Sequence, residues 1–265
     1  MKPIRIAING AAGRMGQRLI ALGHADPELE IAAALEAVGH PQLGADAGQV
    51  AGIGPIGVVL ASTLSASVDA MIDFSTPAGT DAVLSACQSR KIPLVLATTG
   101  LEEPQRAHVH QAARAIPLLW APSMSLAVNL AMKLSQIAAQ VLKDHATGAD
   151  VEIIERHHRF KEDAPSGTAL KFGELIAAVM GQTTHQHGRQ GRPGKRPHGE
   201  IGYHALRTGD NPGEHTIVFG MLGETLELTV RASNRDCYAH GALAAAKFVA
   251  GQQPGLYSMN DLLGL

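Results

Sequence analysis

The stretch "IRIAINGAAGRMGQRLIALGHA" (4–25) decides the first half of the fold. Its opening, "IRIAI" (4–8), is a short isoleucine-rich apolar run that stops at a glycine cluster. Such a run reads as a strand buried on both faces, as in a parallel sheet. "GRMGQRLIALGHA" then reads as a helix, with Met15, Leu19, Ile20 and Leu22 near helical spacing. Gly10, Gly13 and Gly16 stand three apart where strand gives way to helix. Glycines there permit a tight turn and let backbone N–H groups approach a pyrophosphate, which the positive end of the helix also favours. The spacing is G-x-x-G-x-x-G rather than the commoner G-x-G-x-x-G. Glu36 closes the next apolar run, "LEIAAALE" (29–36), where a carboxylate would hydrogen-bond a ribose 2′-hydroxyl. The competing reading is an ordinary strand–helix turn and a surface glutamate. Ala37 stands where NADP sites usually carry an arginine, although Arg14 lies within the glycine turn, so NADH is the expected preference over NADPH.

Outward from this unit the same rhythm continues. Strands are expected at 57–61, 69–76, 92–100 and 116–123, with helices at 79–90 and 102–115. Alternation of this kind implies α/β architecture, a parallel sheet covered on both faces that binds ligands at the carboxyl ends of its strands. Those ends carry "GAAGRMG", "DFSTP", "ATTG" and "APSMS". After Asn129 the pattern changes to α+β. A long amphipathic helix (130–144) precedes an alternating strand, "DVEIIERHH" (150–158), and a helix at 166–181 with Ala169, Phe172, Ile176 and Val179 on one face. Residues 182–200 read as a loop, 201–207, 214–220 and 225–233 as antiparallel strands, and 241–251 as a last helix.

Composition narrows the function. The 265 residues are 45% apolar and 17% charged, as in a globular enzyme with a sizeable core. Net charge is −2 and aromatics are 3%, which argues against a nucleic-acid partner. No stretch is long enough to span a membrane, and "MKPIRIAING" lacks signal-peptide anatomy. Cys87 and Cys237 show no metal or redox spacing, and a cytoplasmic home is expected.

The densest polar chemistry lies in "VEIIERHHRFKEDAPSGTALKF" (151–172). Pro165 and Ser166 suit a helix start, and Ser166 or Thr168 would cap it. The first-turn N–H groups of Gly167 and Thr168 would then suit a carboxylate, with Lys161 as a point charge. His157 and His158 point different ways if the strand persists, so one would act on the reacting centre while the other binds. No metal is expected, because adjacent histidines do not match metal-ligand spacing. A solvated loop with a capped helix is the plain alternative. Glu162 and Asp163 are expected to order the loop. "RTGDNPGEHTIVF" (207–219) reads as a turn between strands. The basic segment 188–198, with Arg189, Arg192, Lys195 and Arg196, reads equally as a solvated loop or a mobile lid.

"GAAGRMG", "DFSTPAG", "ATTGL", "HHRFKEDAPSGTA", "GDNPGEHT" and "PGLYSMNDLL" together resemble the 4-hydroxy-tetrahydrodipicolinate reductase family, formerly dihydrodipicolinate reductase, nearly end to end. The resemblance implies a homotetramer built from an N-terminal Rossmann dinucleotide-binding domain (1–127 and 237–265) and a mixed α+β substrate and tetramerisation domain (128–236). It implies NADH or NADPH as cofactor and a small dicarboxylate as substrate, a cyclic imine of lysine and diaminopimelate biosynthesis. Cofactor contacts are implied for Gly10, Ala11, Ala12, Gly13, Arg14, Met15, Glu36, Ala97, Thr98, Thr99, Ala121, Pro122, Ser123, Met124, Arg235 and Tyr238. His157 matches the acid/base and Lys161 the proton donor. His158, Ser166, Gly167 and Thr168 match substrate binders. A protonated His157 and cationic Lys161 would stabilise the negative charge that develops as hydride reaches the ring. Ser123 and Met124 depart from the Asn-Phe usual in the family. Two other readings fit the same glycine turn: a non-catalytic NAD(P)-binding sensor, and a semialdehyde or imine dehydrogenase acting on another acid.

Overall fold

Period-two burial of one strand sets up both layers of the first sheet. Ile6 and Ile8 of β1 (Ile4–Asn9) pack into one apolar cluster, and Ala7 between them packs into another on the opposite face. A computed structural model describes residues 2–265, and the chain divides into two compact units, Met1–Leu126 with Arg235–Leu265 and Ala127–Asn234. The first unit continues through α1 (Arg14–Ala25), β2 (Leu29–Leu35), α2 (Ala47–Val50), β3 (Leu60–Ala61), β4 (Ala70–Asp73), α3 (Pro77–Arg90), β5 (Leu94–Leu96), α4 (Glu103–Ala113) and β6 (Pro117–Trp120). The second unit carries α5 (Leu126–Leu142), whose first residue is the last of the opening segment, then β7 (Asp150–His157), α6 (Gly167–Met180), β8 (Thr184–His187), β9 (Glu200–Arg207), β10 (Gly213–Met221) and β11 (Glu224–Ala232). The chain then re-enters the first unit as α7 (Asp236–Val249), β12 (Gly255–Tyr257) and α8 (Met259–Leu263).

The first sheet has the order β12-β6-β5-β4-β1-β2-β3, parallel throughout. Leu19 and Ile20 of α1 and Ala242, Leu243 and Ala246 of α7 cover one face. Val83 and Leu84 of α3 and Val109 of α4 cover the other. This is the doubly wound, Rossmann-like arrangement, with its switch point between β1 and β4. Three expectations need correction. The strand expected at 57–61 pairs with β2 only through Leu60 and Ala61. The Asp46 carboxylate collects the N–H groups of Gly48, Gln49, Ile56 and Gly57 and curls the chain there. The helix expected at 241–251 starts at Asp236 and is not the last. The strand series does not close at 116–123, because β12 adds a seventh strand beside β6.

The second sheet has the order β11-β10-β7-β9-β8. β10 is antiparallel to β7 and β11, whereas β9 is parallel to both β7 and β8. Residues 201–207 are therefore not paired antiparallel. Residues 208–212 are not a hairpin turn either, since β7 lies between the strands they join. Residues 182–200 are not wholly loop: β8 lies inside them. "THQH" has no apolar residue to betray a strand, and it holds the edge by backbone pairing while His185 and His187 stack on Tyr203. Val151 and Ile153 of β7 meet Ala169, Phe172 and Ile176 of α6 and Ala139 of α5 in the core of this unit.

Candidate functional site

The glycine turn after β1 has no room for side chains. Gly10 adopts φ +77°, and a Cβ there would lie 2.6 Å from the Phe74 carbonyl oxygen. A Cβ on Gly16 would lie 2.1 Å from the Gly10 carbonyl oxygen. Both contacts are to backbone and cannot relax by a rotamer change. Gly13 caps α1 without a side-chain bond, which leaves the first-turn N–H groups of Arg14 and Met15 without a capping partner among the described residues. Glu36 is fixed beside them: Oε2 accepts the Ala12 N–H (3.1 Å) and Oε1 the Ala37 N–H (2.9 Å). A cavity of about 740 Å³ runs from Gly10, Gly13 and Glu36 along Val38 and Leu64 to Val83. Its size, apolar wall, Cβ-free turn and open helix donors fit a dinucleotide.

Asp73, fully buried at the end of β4, ties three strand ends together. Its carboxylate accepts the Asn9 amide (2.7 Å) and the Thr98 hydroxyl (2.6 Å). The sequence places Asp73 in the strand expected at 69–76 but does not single out Asp73 or Asn9, because their pairing joins strands far apart in the chain. Thr98 spends its hydroxyl on this bond, while Thr99 is exposed. Ala97 and Ala121 are buried, Ser123 is half-buried, and Pro122 is exposed. Met124 is 1% exposed and belongs to the apolar cluster with Ala239 and Ala242, so its side chain serves the core rather than a ligand. Arg235 is exposed at the cap of α7, and Tyr238 is half-buried against the same core. None of residues 97–99, 121–124, 235 or 238 lines the 740 Å³ cavity.

In the second unit the end of β7 and the start of α6 converge. Glu155 and His157, alternate residues of β7, both point inward, at 1% and 7% exposure. Glu155 Oε2 lies 2.5 Å from His157 Nδ1. The guanidinium of Arg207 grips both oxygens of Glu155 at 2.9 and 2.7 Å, and the Ser166 N–H donates to Oε1 (3.1 Å). Burial opposes ionisation of Glu155, but Arg207 and His157 outweigh it and hold the carboxyl below its usual range. For His157 burial dominates over Glu155 and pushes its pKa down. The protonated His157 expected from sequence is therefore disfavoured by desolvation. His215 is pushed lower still, to about 4, by burial.

Ser166 caps α6 by accepting the Ala169 N–H (3.1 Å), and its Oγ lies 3.0 Å from His215 Nε2. Its hydroxyl and its N–H thus both have partners inside the protein. The N–H groups of Gly167 and Thr168 carry no hydrogen bond among the described residues. Lys161 reaches Asp163 at 2.7 Å, so Asp163 orders the cation. His158 is half-buried, and its buried Nδ1 has no hydrogen-bond partner among the described residues. The basic segment is partly anchored. Arg189 pairs with Glu152 (2.6 Å) and Glu200, and Arg196 with Glu152 (2.9 Å) and Asp150 (2.7 Å). Burial opposes it, yet Arg189, Arg196 and His204 hold the Glu152 carboxyl at about 2. A freely mobile lid is inconsistent with these pairs; Arg192 and Lys195 remain exposed.

Sequence reasoning missed Glu155, Arg207 and His215. Glu155 could have been found from period-two spacing before His157, but the other two approach only through the sheet.

Residues 4–124 match the family model "Dihydrodipicolinate reductase, N-terminus", and residues 127–263 match "Dihydrodipicolinate reductase, C-terminus". A 4-hydroxy-tetrahydrodipicolinate reductase from Rhodopirellula baltica is 56% identical over 99% of this chain and 97% of its own length. One from Alkalilimnicola ehrlichii is 48% identical over 98% and 99%. Among solved structures, the dipicolinate-bound dihydrodipicolinate reductase from Paenisporosarcina sp. TG-14 superposes with a TM-score of 0.78 at 25% identity, covering 97% of each chain.

Proposed function

The chain belongs to the dihydrodipicolinate reductase family, and on that premise we propose that it reduces 4-hydroxy-tetrahydrodipicolinate to tetrahydrodipicolinate and water with NAD(P)H, a step of lysine and diaminopimelate synthesis. The observation that carries the reading is the cluster at the end of β7. It combines a cation (Lys161), a buried imidazole (His157) and two free helix N–H groups (Gly167, Thr168). The first unit is the dinucleotide-binding domain, with Gly10 to Met15 taking the pyrophosphate and Glu36 the ribose. The second unit is the substrate-binding and oligomerisation domain.

When bound, the reduced nicotinamide supplies a hydride to the substrate ring. The chain's own residues manage charge and protons. Gly167 and Thr168 hold one carboxylate at the positive end of α6 and fix the ring's orientation. Lys161 offsets the negative charge that spreads over the conjugated ring and gives the proton that quenches it. His157, neutral at rest, accepts and returns a proton at Nε2. His158, half-buried beside His157, binds the other polar end of the substrate. NADH is the preferred cofactor, because the Glu36 carboxylate would repel a ribose 2′-phosphate and Ala37 offers it no cation. The assembly is a homotetramer formed through the outer face of the second sheet, where Ile154 and Leu206 are 40% and 46% exposed. Cys87 and Cys237, which lack metal or redox spacing, suit the cytoplasm. Among the described residues no helix is long and apolar enough to cross a membrane.

The test couples the purified protein to the synthase that makes its substrate and follows NADH and NADPH oxidation. Substrate-dependent oxidation is expected. Tight cofactor binding without turnover would instead favour the non-catalytic sensor.

A further inference from the structure

The segment 207–215, a plain turn by sequence, brings Arg207, Gly213 and His215 to the Glu155–His157 pair. Arg207 grips the carboxylate that His157 contacts. A Cβ on Gly213 would stand 3.0 Å from His157 Nε2, so a side chain there would crowd that nitrogen. The His215 ring meets the His157 ring edge to face, at 5.2 Å between centroids. Together with the Ser166 N–H, these contacts fill every side of Glu155 with donors.

We propose that Glu155, clamped by Arg207, is a positioning residue that fixes His157 as its Nδ1–H tautomer and leaves the lone pair on Nε2, the nitrogen beside Gly213. The inference rests on the acid/base reading of His157 and deepens it. An ionised carboxylate has no hydrogen to give, so the proton between Glu155 and His157 must sit on Nδ1. The bidentate guanidinium keeps that carboxylate ionised in a buried site and stops it from rotating. The only free nitrogen of the neutral ring is then Nε2. Lys161 and Arg207 are the cations whose fields disfavour a second proton on the ring, and His215 adds no charge while neutral. The arrangement reproduces the logic by which a buried carboxylate sets the tautomer of a catalytic histidine elsewhere.

Nitrogen-15 NMR of histidine-labelled full-length protein tests this directly, with the His157 signals assigned by their loss in His157→Gln. Near neutral pH the expected pattern is protonated Nδ1 and bare Nε2. In Glu155→Gln, Arg207 keeps the amide oxygen and the NH₂ faces the ring, so the proton should move to Nε2. Turnover should fall roughly 10²-fold or more in kcat with KM changed less than about threefold, because a wrong tautomer spoils chemistry rather than binding. A protonated Nε2 in the wild-type protein overturns the proposal, as does Glu155→Gln with an unchanged tautomer or unchanged kcat. Should Glu155→Gln fail to fold, the wild-type tautomer alone decides. Full turnover in His157→Gln would sink the acid/base reading and leave the tautomer result intact, so the two failures are distinct.

Discussion

His157 Nδ1 lies 2.5 Å from Glu155 Oε2, a buried contact between two inward-facing residues of one strand. His157→Ala removes the imidazole but leaves Glu155 paired with Arg207 and Ser166, so the fold should persist. Steady-state kinetics should show kcat/KM down roughly 10²-fold or more in His157→Ala and in Lys161→Ala alike. Wild-type turnover in either would take that residue out of the chemistry.

Thr168 sits at the second position of α6, half-buried, beside the free N–H of Gly167. Thr168→Val keeps the backbone donor and the shape while deleting the hydroxyl. Substrate titrations should give a raised KM with kcat nearly retained. An unchanged KM would count against a carboxylate at this helix end.

Glu36 is held at the glycine turn by two N–H groups, and Arg14 of the same turn is exposed. Paired assays should give a higher kcat/KM with NADH than with NADPH, and Glu36→Ala should narrow the gap. A ratio above about ten in favour of NADPH would refute the role given to Glu36.

His215 is neutral in the fold, its pKa lowered from 6.5 to about 4 mainly by burial. Between those values the unfolded chain binds the extra proton and the folded chain does not. Stability from this group is thus complete above 6.5 and is lost as pH falls toward 4, by as much as roughly 3 kcal/mol. His157 pulls in the same direction. Urea unfolding near pH 7 and near pH 5 should show a large drop in the wild-type protein and a smaller one in His215→Gln. Equal drops would place the pH sensitivity elsewhere.

Much of the first unit is legible in sequence because its determinants are local. An apolar run, a glycine turn and an amphipathic helix lie within residues 4–25, and no distant residue is needed to read them. The same holds for α6, whose Ser166 cap and apolar face are written into one short stretch. Legibility fails where pairing is decided by backbone alone. β8 has no apolar side chain, β12 has three residues, and β9 pairs with β7 although β10 follows it in sequence.

By itself, the sequence determined that a parallel sheet carries a Cβ-free turn beside Glu36, and that Lys161, two histidines and a helix start lie within a dozen residues. Only the tertiary structure decided which of these groups are open to a ligand. Ser166, adjacent to Gly167, is partnered by Glu155, Ala169 and His215, and Arg207 reaches Glu155 across 52 residues. The physical reason is that a buried polar atom must find a partner wherever the sheet brings one. Its freedom to act is therefore set by the strands that pack around it, not by its neighbours in the chain.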